Sequence, residues 1–241
     1  MSSRCAAPHA FKIQLCLALS AAVFLAAETA KGESDPVKEI LPTAWIQASY
    51  GLSTYKSELV ESNDTGALIN YAIGANVGEE KTFGLVIRTD SSAIDFKLNE
   101  SKIESSWRDT VIRYRWGYAY IGGILGYSSF AATSAGAELF SGTGTGYGVN
   151  FGGYLPLGRD NALVLDGSSV TIGEFNEVDQ KAVKFGARTD VSIYGQMEIM
   201  NDAVHSTVGY TQRTHAVSLD GSGSAETHTA TWVGFLFGAN F

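Results

Sequence analysis

From about residue 43 onward, apolar and polar residues alternate with a period of two, the pattern of strands whose two faces meet different surroundings. In "GALINYAIGANVG", Ala67, Ile69, Tyr71, Ile73, Ala75 and Val77 fall on one face. Leu68, Asn70, Ala72, Gly74 and Asn76 fall on the other. "KTFGLVIRTD" sets Phe83, Leu85 and Ile87 against Gly84, Val86, Arg88 and Asp90, and "RDTVIRYRW" sets Ile112, Tyr114 and Trp116 against Asp109, Val111, Arg113 and Arg115. "YAYIGGILGY" and "ALVLDGSSVTI" are apolar on both faces, so the pattern alone does not orient them. The alternation predicts ten strands near 43–54, 66–78, 81–92, 107–116, 118–128, 143–155, 161–171, 181–194, 203–218 and 228–241. If the two ambiguous segments merge or split, the count becomes eight or twelve.

Such alternation fits a soluble sandwich, with the apolar face inside, or a membrane barrel, with the apolar face in lipid. Three features favour the barrel. The polar faces are rich in glycine and small residues, with only a few charges. Aromatic residues (Trp45, Tyr50, Trp116, Tyr118, Tyr120, Tyr127, Tyr147, Tyr154, Tyr210) gather near strand ends, as interfacial girdles do. Connections alternate between long polar stretches, such as "SAIDFKLNESKIESS" and "SSFAATSAGAELFSG", and short turns, such as "GEE" and "PLGRDN". The predicted fold is therefore all-β, a transmembrane antiparallel up-and-down β-barrel with both termini on the periplasmic side.

The terminal stretch "HTATWVGFLFGANF" is similar to the C-terminal signal read by the barrel-assembly machinery, and the chain resembles the small bacterial outer-membrane barrels, the broad OmpA-, OmpW- and opacity-like group. The resemblance implies outer-membrane localisation, contact with outer-membrane lipid, and an assembly signal at Val233, Phe235, Phe237 and Phe241. It implies no activity. By alternation Trp232, Gly234, Leu236, Gly238 and Asn240 face inward, with Leu236 an awkward fit to a wet lumen.

The N-terminus is organised differently. Arg4 and Lys12 precede the apolar run "IQLCLALSAAVFLAA", and small residues follow, which reads as a secretory signal peptide over 1–30 with cleavage between 26 and 30. Residues 31–42 form a periplasmic lead-in, and 43–241 form the barrel. Both cysteines, Cys5 and Cys16, lie in the signal, so the remainder has no thiol for a disulfide, a zinc site or a nucleophile. Removing 1–30, with Arg4, Lys12 and Glu28, leaves a chain one unit more acidic than the whole, which carries −8. Such a chain is unsuited to neutralising nucleic-acid phosphates.

Catalytic patterns are weak. A lipid A deacylase carries His-x-Ser-Asn, whereas His205 and Ser206 are adjacent here and point to opposite faces of a strand. "SGTGTGYGVNFGG" lacks the following helix that a phosphate-binding loop needs, and reads as a strand whose small inner positions let another segment pack close. His205 and His215 share a face but lie about 33 Å apart along an extended strand, and with His228 they show no metal-ligand spacing. No cofactor is expected.

The charged inner stripe is the most informative constellation. Arg88, Asp90, Asp109, Arg113, Arg115, Lys184, Arg188 and Asp190 all fall on the predicted lumen face. They form either a salt-bridge network that plugs a narrow barrel or a constriction that passes small polar or anionic solutes. Ten strands lie close to the size at which side chains fill the bore. The expected role is non-enzymatic, structural or surface-interacting, with a narrow or plugged lumen. A narrow pore is the alternative, and a lipid-modifying enzyme a third. Acidic residues in the long connections (Glu58, Glu61, Asp64, Asp95, Glu100, Glu104, Glu174, Glu177, Asp179) offer divalent cations or extracellular partners a contact.

Overall fold

Alternating side chains build a closed sheet when every strand finds two neighbours. The computed structural model describes residues 36–57, 62–96, 100–158, 161–177, 183–200, 203–219 and 222–240. A short helix, α1 (Pro36–Ile40), precedes ten strands. They are β1 (Ala44–Ser57), β2 (Ser62–Val77), β3 (Phe83–Phe96), β4 (Ser101–Trp116), β5 (Ala119–Ser134), β6 (Ala137–Pro156), β7 (Asn161–Glu177), β8 (Val183–Met200), β9 (Val204–Leu219) and β10 (Ser222–Ala239). Each pairs antiparallel with its sequence neighbours, and β1 pairs with β10 from Ala44↔Ala239 to Lys56↔Thr227, which closes an all-β up-and-down barrel. The end that holds α1 is the lower end, and the opposite end the upper.

The outer face of the lower half is the expected apolar band. Ile46, Tyr71, Phe83, Ile112 and Tyr147 are exposed there, and Phe235 and Phe237 are each 53% exposed. Val233 lies on the same stripe, while Phe241 lies outside the described residues. Tyr50, Tyr127, Tyr147 and Tyr210 stand on the outer surface as a girdle requires. Trp45, Tyr120 and Tyr154 do not: they turn inward, because the lower lumen holds packed aromatic layers that compete with the girdle for these rings.

The long polar connections are corrected by the structure. "SAIDFKLNESKIESS" supplies the upper ends of β3 and β4, and "SSFAATSAGAELFSG" supplies those of β5 and β6. These last two strands meet at the two-residue turn Ala135–Gly136, with φ of 49° and 78°, the positive-φ geometry that matches strand twist. Strands run 14 to 20 residues, whereas about 9–11 cross a bilayer. The surplus forms a collar above the apolar band.

In that collar the polarity of the two faces reverses. Outward positions become Thr54, Ser91, Glu104, Arg108, Thr145 and Thr229, exposed or half-exposed. Inward positions become Tyr55, Ile94, Ile103, Trp107, Phe130 and Ile172, all buried in one cluster. A strand that is polar outside and apolar inside mixes the two residue types in near-equal number, which is why these segments resemble loops in sequence. The same layer explains why "ALVLDGSSVTI" is apolar on both faces. Val170 and Ile172 enter the collar core, Ala162 and Val164 pack against α1, and Leu163 and Leu165 lie on the outer face.

Candidate functional site in the barrel lumen

Lumen side chains arrange themselves in layers along the barrel axis. At the bottom, Val37, Ile40 and Leu41 of the lead-in are buried against Ala162 and Val164, with Tyr118, Tyr154 and Tyr194 packed alongside. Polar groups hold this floor in place. Lys81, in the β2–β3 turn, donates to the carbonyls of Lys38 (3.2 Å) and Leu41 and to Asn240 Oδ1 (2.9 Å). Asn76 Nδ2 donates to the Pro42 carbonyl at 2.8 Å. Burial and the nearby Lys38 and Arg115 cations pull the Lys81 ammonium below its ordinary pKa range. Leu236, awkward for a wet lumen, is buried on the inner wall beside Leu41 and Pro42, facing the same cavity.

Midway up, arginines and aspartates form a continuous alternating chain. Arg213 donates to Asp90 and to Asp190, each at 2.6 Å. Arg188 lies 2.9 Å from Asp190 and donates to Asp109 at 2.6 and 2.8 Å. Arg88 bridges Asp109 (3.1 Å) and Asp166 (3.3 Å), and Arg113 pairs with Asp166. Four guanidiniums and four carboxylates thus cancel in charge across β3, β4, β7, β8 and β9. Neutral groups add donors to two of the carboxylates. Asn150 Nδ2 (2.8 Å) and Tyr120 Oη (2.8 Å) donate to Asp166, and Ser168 Oγ donates to Asp190 at 3.0 Å. Arg188 is fully buried. A charge so enclosed is tolerated only with this degree of pairing.

The chain brings together Arg88, Asp90, Asp109, Arg113, Arg188 and Asp190. Arg115 stands apart from it, near the lower rim, where it donates to the backbone carbonyls of Glu80 and Gly117 (2.7 Å) and so braces two turns. It lies one alternation step below Arg113, level with the turns, and their carbonyls are its nearest acceptors. Alternation groups Lys184 with Arg188, but an extra residue shifts the register between Phe185 and Arg188. The parity therefore does not carry through, and the Lys184 side chain lies outside the described residues.

Two partners in the chain fall outside the charged stripe that alternation picks out, Asp166 and Arg213. Asp166 sits in the doubly apolar β7 segment, and Arg213 is isolated among the neutral residues of "YTQRTHAV". For Arg213, inward parity with His215 is the available signal.

Above the chain, Trp107 forms a lid. The guanidinium carbons of Arg188 and Arg213 lie 5.1 and 4.9 Å from its ring centroid. His215 follows, 5.2 Å from Trp107 and 5.7 Å from Phe130, with Tyr55 Oη 3.3 Å from its Nε2. His205 is also buried, in the lower lumen, while Ser206 lies on the outer face and donates to the Met197 carbonyl at 3.5 Å. "SGTGTGYGVNFGG" lies in β6, where a side chain at Gly146 would collide with the Thr171 carbonyl and one at Gly152 with the Leu165 carbonyl and the Tyr120 hydroxyl. Among the described residues no group of three or more His, Cys, Asp or Glu is placed to hold a metal. Of the acidic residues in the expected loops, Glu58, Glu61 and Asp179 lie outside the described residues, as do the side chains of Glu174 and Glu177. Glu104 pairs with Lys102 at 2.5 Å on the collar's outer surface.

No protein-family model and no curated protein matches this chain. Solved structures do match. Neisserial surface protein A aligns over 81% of this chain and 96% of its own, at 10% identity and a TM-score of 0.43. The translocator domain of the autotransporter NalP from Neisseria meningitidis aligns over 95% of both chains, at 13% identity and 0.45. The outer-membrane protease OmpT from Escherichia coli covers 81% of this chain and 93% of its own, at 10% identity and 0.40. The architecture, read from the strand pairing itself, is that of a closed ten-stranded up-and-down β-barrel.

Proposed function

We propose that this protein is an integral outer-membrane barrel with a closed lumen and a non-enzymatic role, which holds a rigid polar collar above the membrane for contact with extracellular partners. The observation that carries this reading is the unbroken alternating chain from Asp90 to Arg113 across the lumen. It is backed by the Trp107 lid above and the lead-in floor below. Opening a path would break paired, buried charges. Outer-membrane location is supported by the apolar outer band and by the terminal stripe Val233, Phe235 and Phe237, which with Phe241 is the segment offered to the assembly machinery. The collar's acidic outer residues Asp95, Glu100 and Glu104 fit basic partners or divalent cations.

A planar bilayer holding the refolded protein tests this. The expected record has no stable ohmic steps. Single-channel steps that shift when Arg113 becomes Ala would overturn the closed lumen and favour a narrow polar pore.

A further inference from the structure

Arg108 points outward from β4, while its chain neighbour Asp109 points inward to the ion-pair chain. Arg108 therefore stands where the apolar band gives way to the collar, and it is exposed. Its direct cross-strand neighbours are Thr89 of β3 and Tyr127 of β5. One outward step higher stand Ser91, Ser106 and Ser129, and one step lower stands Thr110. Hydroxyl groups thus surround one guanidinium, the directly opposite pair with Cβ atoms about 5 Å away. Among the described residues no carboxylate holds an outward position next to it on β3, β4 or β5. Along β4 the nearest outward one is Glu104, about 13 Å higher and already paired with Lys102.

These surroundings select a ligand. A guanidinium presents its donors in a planar fork that takes phosphate oxygens two at a time, and hydroxyls add donors for the oxygens it leaves. Directly below, Ile87, Ile112 and Leu125 are exposed on the apolar band, a wall against which acyl chains can lie. An anion anchored in the membrane by such chains sets its charge against Arg108 and its chains against these three residues. A free anion gains nothing from the apolar wall. Tyr127 adds a ring at the boundary, where amphipathic aromatic side chains sit at headgroup level. The far wall lacks this arrangement: above the band, β1, β9 and β10 turn Thr54, Gln212 and Thr229 outward, all neutral.

We propose that this patch on the outer wall of β3, β4 and β5 binds the phosphate headgroup of an anionic membrane lipid, with Arg108 as its counter-ion. The Ser and Thr hydroxyls around Arg108 donate to the same phosphate, and the acyl chains run down the band beneath it. The inference rests on the membrane reading of the apolar band and not on the closed lumen, so it and the bilayer recording fail separately.

The test uses the full chain refolded in detergent micelles and dioleoyl phosphatidic acid as the probe, with retained lipid counted by native mass spectrometry. Heat-modifiable gel migration establishes that each variant is folded. The unaltered protein is expected to retain phosphatidic acid about tenfold better than dioleoyl phosphatidylcholine, the worth of one charge-assisted contact. Arg108→Gln removes that preference. Lys56→Gln, which deletes an exposed cation of β1, leaves it unchanged, and a large excess of inorganic phosphate does not displace the lipid. Equal retention of the two lipids by the unaltered protein would overturn the proposal. So would a preference that survives Arg108→Gln, or one that falls as far in Lys56→Gln. Displacement by inorganic phosphate would make this a site for the free anion and overturn the lipid assignment.

Discussion

Two stretches of β10 share one periodicity and differ in the polarity of their outer face. From Val233 to Phe237 the outward residues are valine and phenylalanine, and Gly234 and Leu236 face the lumen. From Thr227 to Thr231 the outward residues are all threonine, and the inward ones are His228 and Ala230. β4 changes at the same level. Ile112 and Tyr114 are outside with Arg113 inside below, whereas Glu104, Ser106 and Arg108 are outside with Ile103 and Trp107 inside above. Below the ion-pair chain the wall follows the rule of a membrane barrel, and above it the rule of a soluble one. Outer solvent therefore sets which face is apolar, and the strand itself does not change. The charged chain sits where the two regimes meet.

That contrast can be broken at several points. Trp107 belongs to both regimes, as collar core and as the cation–π face for Arg188 and Arg213. Trp107→Ala should cost about 3–5 kcal/mol, measured by urea unfolding in lipid vesicles. A loss below about 1 kcal/mol would mean that the collar is not a packed core. A matched pair of outer-face changes locates the boundary. Phe235→Arg should cost about 2–4 kcal/mol, and Thr229→Arg, on the same strand and face, about 0–1 kcal/mol. Equal costs would erase the distinction between band and collar. The most local effect is expected at the floor. Lys81→Ala removes hydrogen bonds to the lead-in and should cost about 1–2 kcal/mol, with faster hydrogen exchange confined to residues 37–41. Exchange that rises throughout the barrel would show the lead-in to be part of its global stability.

Much of the lower half is legible from period two alone: strand count, face assignment, the outer stripe through Phe235 and Phe237, and the membership of Arg88, Asp109 and Arg188 in one lumen network. What escapes has physical causes. The collar strands pass for loops because their outward residues are serine, threonine and charged groups, the same types that fill connections, although the alternation persists beneath them. Arg115 matches the inward parity of Arg113, and nothing in parity reports depth along the axis. Lys184 loses its grouping to a bulge, which leaves no mark in composition. Asp166 and Arg213 require knowing which strands face each other across the lumen, a matter of closure that no local window contains.

The alternating chain also has a consequence for the order of folding. Its pairs join residues far apart in sequence, such as Asp90 with Arg213, separated by 123 positions, and Arg88 with Asp166, separated by 78. The seam that encloses them joins Ala44 to Ala239. Such contacts form late and slowly, because long segments must be ordered before any of them is made. Until the seam shuts, these groups stand in a hydrated cleft, and the last act of assembly is to expel that water as the ions pair. The step resembles a latch: no half-closed sheet gains from it, and the finished barrel is slow to release it.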